Sequence, residues 1–269
     1  MKYKIGDVAR ILGISPDLLR YYEKKGVVKP EKNENNDYRY YDTWDINSLT
    51  DCLWFKNFGF SIEQIADIVR VPGVDELARM MEGKEEELRE TIARSQLLLR
   101  RSAEHRQDLE KIDALLYRCE ISDSPELVRF INRIGSEYLR SPLQQEAARR
   151  WLKVMPFNQR YFEMAGESAL PGSEEDYRWG YSLSAAYADA LDFQVTPPMV
   201  RIPSRRSIHT VFKNNGGQGG FSPSLLQYAL DYAARAGLPV FGPIHGVLLA
   251  SVMEDGRLTG YFEAWLPVE

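Results

Sequence analysis

The stretch from Asp75 to Glu120 constrains the fold more than any other part of this chain, because it predicts one long helix. It contains no proline and a single glycine, Gly83, and good helix formers dominate its composition. Apolar or small side chains recur in it at spacings of three and four residues, which is typical of a coiled-coil seam. These side chains are Leu88, Ile92, Ser95, Leu99, Ser102, Leu109, Ile112, Leu116 and Cys119. Charged residues surround the seam, and such a helix would extend for roughly 70 Å. We expect residues 73–121 to form a coiled-coil helix that joins two copies of the chain, with an ordinary long helix inside one domain as the alternative.

Length and composition limit the class of protein. The chain has 269 residues, 44% of them hydrophobic and 27% charged, which is enough for two domains and a connector. No apolar run approaches the roughly eighteen residues of a membrane-spanning helix, and the N-terminus lacks a signal-peptide pattern. We therefore expect a cytoplasmic protein with no membrane partner. Cys52 and Cys119 are far apart, so neither a disulfide nor a metal site is expected.

Residues 4–26 predict two short helices around a tight turn. Residues 4–12 have the apolar spacing of an amphipathic helix, and Gly13 follows it. Ser15 is placed to cap a second helix that has Pro16 at its first position and Gly26 just after its end. Two helices in this arrangement form a helix-turn-helix, whose second helix can enter the major groove of DNA.

Residues 27–70 add a hairpin and two further helices. Val27-Val28 and residues 38–41 are β-prone runs separated by a polar loop, which predicts a wing beside the helix pair. Helices are expected over residues 44–58 and 62–70, the second capped by Ser61 with Gln64 three residues later. Residues 1–70 hold seven Lys and four Arg against seven Asp and four Glu. Affinity for DNA must therefore come from the placement of basic side chains rather than from net charge.

Several segments of this region form a recognisable series, in order and with matching spacings. They are Ile5-Gly6-Asp7-Val8-Ala9, Leu19-Arg20-Tyr21-Tyr22-Glu23, Gly26, Pro30, Tyr38-Arg39-Tyr40 and Gly59-Phe60-Ser61-Ile62-Glu63-Gln64-Ile65. The series resembles the winged-helix domain of MerR-family transcription activators. That resemblance implies that residues 1–72 bind DNA and that an antiparallel dimerisation helix follows them directly.

The resemblance also suggests which side chains contact DNA. Basic side chains neutralise phosphates and tyrosine hydroxyls donate to them. We assign to the DNA backbone Arg20, Tyr21, Tyr38, Arg39 and Lys56. We assign to the groove-facing start of the recognition helix Pro16, Asp17 and Arg20. Tyr22, Tyr40 and Tyr41 are instead expected to be core aromatics.

After Pro125 the heptad pattern ends, and the sequence predicts an α+β domain over residues 126–269. Strands are expected over residues 127–134, 179–183, 199–202, 207–212, 246–253 and 258–268. Helices are expected over 142–154 and 222–235, with a flexible loop at 214–220. The order strand, helix, strand, strand occurs clearly once and weakly a second time, which favours a small internal repeat. The arrangement, and most of all the closing strand from Tyr261 to Val268, is similar to the GyrI-like ligand-binding domain of multidrug-sensing MerR-family members.

Alternation along the closing strand places Tyr261, Glu263 and Trp265 on one face. A carboxylate among aromatic rings suits a lipophilic cation, because the ring faces attract the charge and the anion replaces lost hydration. By resemblance, Glu263 is the pocket anion, Trp179 and Tyr181 are pocket aromatics, and His245 occupies a further pocket position. The alternative is that all of these are ordinary sheet residues, with Glu263 at an exposed edge.

The expected function is a ligand-responsive transcription activator. By resemblance, a homodimer would bind double-stranded promoter DNA and distort it for the RNA polymerase holoenzyme once a small lipophilic cation has bound. No GxxxxGK[ST], HExxH or GxSxG motif occurs, and no cofactor is expected. The alternative is a hydrolase or isomerase that uses the C-terminal cleft, with Glu263 as general base and His245 assisting.

Overall fold

The structure is a computed structural model that describes residues 1–32, 38–71, 73–164, 177–215, 221 and 223–269. The chain divides into two units, residues 1–95 and residues 96–269. Elements of the first unit are β1 Tyr3–Lys4, α1 Ile5–Leu12, α2 Pro16–Lys25, β2 Glu31–Lys32, β3 Arg39–Tyr41, α3 Thr43–Asn57 and α4 Ile62–Ile68. The long helix α5 spans Val74–Leu115 and contributes residues to both units.

Local signals determine where the helices of the first unit begin and end. Ser15 accepts a hydrogen bond from the Leu18 backbone N–H at 3.1 Å, and Gly13 and Gly26 adopt the left-handed conformation that ends α1 and α2. Ser61 and Gln64 form a reciprocal capping box at the start of α4. The predicted helix pair and its caps are therefore confirmed.

The hairpin of the first unit differs from the predicted wing. Val27 and Val28 are not in a strand; both are buried in the core, where they pack among the helices. The outer strand is β2, and β3 pairs with both β1 and β2 in a three-stranded sheet. Two consecutive β-branched residues favour a strand, but here both valines are buried in the core against helices α1–α4 instead. Of the predicted core tyrosines, Tyr22 and Tyr41 are fully buried and Tyr40 is half-buried.

Helix α5 ends at Leu115, before the predicted end at residue 121. Tyr117 has a left-handed backbone with φ 56°, and its N–H donates to the Val211 carbonyl at 2.8 Å. Cys119–Asp123 then form a strand instead of continuing the helix, so Cys119 is not part of a helical seam. Ile112, Leu115 and Leu116 pack against the sheet of the second unit. The last turn of the predicted seam is therefore buried against its own chain, as in the alternative of a helix inside one domain.

The second unit is a mixed α/β domain built on one antiparallel sheet. Its strands are β4 Cys119–Asp123, β5 Leu127–Ile134, β6 Glu137–Tyr138, β7 Gln159–Met164, β8 Tyr177–Ser184, β9 Val200–Ile202, β10 Arg206–Asn214, β11 Ile244–Glu254 and β12 Arg257–Pro267. Its helices besides α5 are α6 Pro142–Lys153, α7 Ala185–Ala190 and α8 Gln227–Ala236. The sheet order is β4-β10-β12-β11-β7-β8-β5-β6, and β9 pairs with β5. The predicted strands and helices that lie in the described part of this unit are confirmed, except that the helix predicted over 222–235 begins with a 3-10 turn, Pro223–Leu226, before α8. The elements β4, β6, β7 and α7 were not predicted.

The two faces of this sheet have different environments. Even-numbered side chains of β12 and β10, such as Phe262 and Phe212, pack toward α8. Val128, Phe130 and Leu183 pack on α6 around the fully buried Trp151. The alternate side chains form a second apolar layer with the end of α5. Its buried members are Leu127, Ile131, Tyr161, Val211, Val247, Leu249 and Trp265. Residues 216–220 of the predicted flexible loop lie outside the described residues.

Candidate functional site

Helix α2 presents the side chains that were predicted to face the DNA groove. Its exposed residues include Pro16, Asp17, Arg20 and Tyr21. The Arg20 guanidinium donates to Asp17 at 2.5 Å, and 55% of the Arg20 side chain remains exposed. The Lys25 ammonium lies 5.6 Å from the centre of the Tyr21 ring. The first turns of α2 thus combine a basic and an aromatic side chain at the surface, which is the chemistry that phosphate contacts use.

The other predicted DNA contacts lie in β3, in the residue just before it and in α3. Tyr38 and Lys56 are exposed, and the Lys4 ammonium lies 5.8 Å from the Tyr38 ring centre. Arg39 is only 29% exposed at its side chain and is bonded to the Glu23 carboxylate. Both arginines are paired with a carboxylate, but the Arg39 side chain is less exposed than that of Arg20, so Arg39 is less available to a phosphate.

The second unit contains a cavity of about 410 Å³ between the sheet and the end of α5. Apolar and aromatic side chains line part of it, among them Leu127, Phe157, Val247 and Trp265. Its titratable lining residues are Arg101, Glu104, Asp108, Lys111, Asp123, Tyr187, His209 and Glu263. A concave site with apolar walls and a few converging polar groups is the usual form of a small-molecule site.

Glu263 lies on the wall of this cavity and is 4% exposed, so the alternative of an exposed sheet edge is wrong. Its carboxylate has two basic neighbours that the sequence did not suggest. His209 Nε2 lies 2.7 Å and Lys111 Nζ 3.4 Å from Glu263 Oε1. His209 Nδ1 is in turn 3.0 Å from Glu120 Oε1. The imidazole therefore bridges a carboxylate on β12 and one on β4.

These contacts alter the pKa values of the two basic groups. Burial lowers the pKa of His209, but the bonds to Glu263 and Glu120 outweigh that effect and leave the pKa above its ordinary value. Lys111 shows the same balance: burial lowers its pKa, while Glu263 and Asp108 raise it and prevail. The neighbouring carboxylates therefore favour the protonated forms of His209 and Lys111.

Aromatic rings from four neighbouring strands form a row beside Glu263. Trp265 is directly opposite His209 on β10 and His245 on β11, and its ring centre lies 5.6 Å from one imidazole and 5.8 Å from the other. Tyr161 on β7 continues the row, with its ring centre 6.1 Å from His245. Burial lowers the pKa of His245, which keeps this imidazole neutral near pH 7. Of this row, His209 and Trp265 line the cavity, whereas the predicted pocket residue His245 and its neighbour Tyr161 do not.

The structure does not bring all of the predicted pocket residues together. Trp179 packs in the apolar layer on the opposite face, and Trp179 and Tyr181 line a different cavity of about 210 Å³. They were matched by order along the chain, which does not determine the face of a strand. Tyr261 shares the strand with Glu263, but its hydroxyl donates to Glu254, which raises the pKa of Tyr261 to about 12.

The catalytic alternative is not supported by this geometry. It requires Glu263 and His245 to act as a pair, yet Glu263 is bonded to His209 and Lys111, while His245 stacks on Trp265. Among the residues that the structure describes, no group of three or more His, Cys, Asp or Glu side chains is placed to hold a metal ion. In the same residues, no helix combines the length and apolar character that crossing a membrane requires.

Comparison with known proteins identifies the first unit more closely than the second. Residues 3–71 match the family model described as MerR HTH family regulatory protein. The HTH-type transcriptional activator mta of Bacillus subtilis is 32% identical over 85 residues, which covers 32% of this chain and 33% of that protein. The HTH-type transcriptional regulator CueR of Escherichia coli O6:H1 is 36% identical over 67 residues, 25% of this chain and 50% of that protein.

A likeness to a solved structure extends over the full chain but is low. The cryo-EM structure of an EcmrR–DNA complex in EcmrR-RPo aligns with 99% of this chain and 99% of its own, at 19% identity and a TM-score of 0.38. The chain covers a third to a half of the length of the curated relatives named above. The match to the MerR HTH family model is limited to residues 3–71, which is the helix-turn-helix part of the first unit.

Proposed function

We propose that this protein is a transcription regulator of the MerR type that binds promoter DNA as a homodimer and responds to a lipophilic cation. The match of residues 3–71 to the MerR HTH family model carries the regulatory part of this proposal. The exposed start of α2, with Arg20 and Tyr21 beside it, supports DNA binding. The name of the Bacillus subtilis relative, a transcriptional activator, favours activation over repression.

Helix α5 is the proposed dimerisation element. Leu88, Ile92, Leu99 and Leu109 on its predicted seam are exposed, and a second copy of the chain would cover them. We assign DNA binding to residues 1–72, dimerisation to residues 73–121 with the helix ending at Leu115, and ligand binding to residues 126–269. Two recognition helices held apart by such a helix pair would contact successive major grooves of a palindromic site.

Ligand binding is proposed for the cavity beside Glu263. The observation that carries it is a carboxylate that is 4% exposed on the wall of a cavity, next to the flat ring of Trp265. An organic cation with an apolar body would bury its rings against Trp265 and place its charge near Glu263. The ligand domain itself is proposed to be GyrI-like, with β5-α6-β7-β8 and β10-α8-β11-β12 as two copies of one unit. The sheet order supports this, because β5-β8-β7 and β10-β12-β11 meet at the β7–β11 pair.

The proposed switch is deformation of the DNA between the promoter elements. We propose that protein with and without ligand binds the promoter with similar affinity, and that only the liganded form distorts its centre for RNA polymerase. Footprinting on the DNA upstream of its own gene tests DNA binding, and a protected inverted repeat is expected. A structure-sensitive probe tests the switch, and equal reactivity of the central base pairs with and without ligand contradicts it.

Glu263→Gln tests the ligand part, with tetraphenylphosphonium as the probe. The substitution keeps the shape of the side chain and removes its charge, so the affinity should fall by about ten- to a hundredfold, the equivalent of about 1.5–3 kcal/mol. Glu254→Gln is the matched control, because Glu254 is a carboxylate on the adjacent strand that is bonded to Tyr261 and Lys213 instead. Unchanged binding by Glu263→Gln contradicts the assignment of Glu263.

A further inference from the structure

The ammonium of Lys111 occupies a position between two carboxylates at the cavity wall. Lys111 Nζ lies 2.9 Å from Asp108 Oδ1 and 3.4 Å from Glu263 Oε1. Asp108 is also within 3.5 Å of the Arg101 guanidinium. The charge of Glu263 is therefore already balanced by groups of the same chain, before any ligand is present.

Two basic groups hold Glu263, and they differ in how easily they can leave. His209 is fixed, because its side chain is 9% exposed, both ring nitrogens are bonded to carboxylates, and Trp265 stacks on its face. The Lys111 side chain is 42% exposed and ends a flexible four-carbon stem. Lys111 can therefore withdraw into water while its neighbour Asp108, one helical turn earlier, keeps the Arg101 contact.

We propose that the Lys111 ammonium occupies the position beside Glu263 at which a ligand cation would bind. A ligand cation then binds by displacing this ammonium from the Glu263 carboxylate. The inference rests on the proposed binding of a lipophilic cation at Glu263. It deepens that proposal by assigning a step that binding must include. With His209 already bonded to Glu263, a ligand cation and the Lys111 ammonium at the same carboxylate would repel each other, so both cannot contact Glu263 at full strength.

Exchange has two consequences for the cavity. The number of charges around Glu263 stays constant during binding, so a cation is admitted without leaving an unbalanced buried group. The apparent affinity for the ligand decreases as the fraction of time that Lys111 spends in contact with Glu263 increases, because Lys111 competes for the same carboxylate. Lys111 lies in the last turns of α5, so ligand entry releases a contact between this helix and β12.

Lys111→Met tests the exchange, because methionine keeps the length and helix propensity of lysine without the ammonium. With tetraphenylphosphonium as the probe in calorimetric titrations, Lys111→Met should bind about tenfold more tightly than the wild type. Lys213→Met is the matched control, because Lys213 is also 42% exposed and also 3.4 Å from a carboxylate, that of Glu254. The control should bind like the wild type, and unchanged or weaker binding by Lys111→Met overturns the proposal.

A double-mutant cycle separates exchange from a general attraction of cations to a less positive protein. In the Glu263→Gln background the tethered contact is lost, so adding Lys111→Met should increase the affinity by less than twofold. A gain of the same size in both backgrounds overturns the exchange. If neither the wild type nor Lys111→Met binds any cation, both the inference and the proposed ligand class fail. If Glu263→Gln weakens binding while Lys111→Met leaves it unchanged, only the inference fails.

Discussion

Gly246 holds β11 close to the strand that carries Glu263, and an added methyl group has no room there. A Cβ atom at residue 246 would lie 2.0 Å from the Glu263 carbonyl oxygen and 2.5 Å and 2.7 Å from Phe162 ring carbons. Normal contacts between such atoms are about 3.5–4.0 Å. The Phe162 ring is fully buried, and the oxygen belongs to backbone, so neither can move without shifting the sheet. Gly246→Ala should therefore push β12 away from β11 at the candidate ligand site.

The cost of this shift can be bounded. Overpacking a well-packed core typically lowers the free energy of unfolding by about 1–3 kcal/mol. Because the added methyl group meets backbone, which cannot rotate away, we expect a loss of about 3 kcal/mol. Urea unfolding of the full chain, followed by fluorescence, measures it. Gly83→Ala is the control, because a Cβ at residue 83 meets nothing within 4 Å and alanine should stabilise the helix by about 0.5–1 kcal/mol. A Gly246→Ala protein within 0.5 kcal/mol of the wild type, on the scale of ordinary surface changes, would refute the reasoning.

Three further expectations concern pH, capping and DNA. Because the pKa of His209 is raised above 6.5, the stability that its contacts contribute is fully present below that pH and is lost as the pH rises through the folded-state value. The advantage of the wild type over His209→Gln in unfolding free energy should thus shrink with pH, and a constant difference from pH 5 to 9 contradicts it. Ser61→Ala should cost about 1 kcal/mol in urea unfolding, because it removes a helix cap; a loss too small to measure excludes that role. Arg20→Ala should weaken promoter binding and reduce the salt dependence by about one phosphate contact, whereas Lys213→Ala should change neither.

The first unit could be predicted from sequence because its signals are local. Ser15, Gly26 and Ser61 act on neighbouring residues through caps and left-handed turns, so a short segment contains the information. Val27-Val28 was wrong as a strand because the burial of both valines depends on helices distant in the sequence. The end of α5 was also mispredicted because it depends on distant residues. The composition remains that of a helix past Leu115. Its end is set by the backbone bond to Val211 and by the pairing of β4 with β10.

The candidate ligand site was only partly predictable for the same reason. Alternation along one strand placed Glu263 and Trp265 on one face, and the cavity is lined by both. His209 and Lys111 are 54 and 152 residues from Glu263 in sequence, and no spacing rule connects them. Only one weak signal was available for His209: alternation puts it on the same face of β10 as Val211. His209 is opposite Trp265 because of the register between β10 and β12, which the sequence pattern of a single strand does not contain.

The indole of Trp265 lies between two imidazoles whose pKa values are shifted in opposite directions. A protonated imidazole in contact with an indole quenches its emission, and a neutral one does so much less. We therefore expect Trp265 emission to decrease as His209 becomes protonated, with His245 contributing only at lower pH because its pKa is lowered. The difference between the emission spectra of the wild type and Trp265→Phe isolates this signal from the other four tryptophans. Because His209 is bonded to Glu263, we expect the intrinsic emission of Trp265 to report the protonation of this pair without an attached dye.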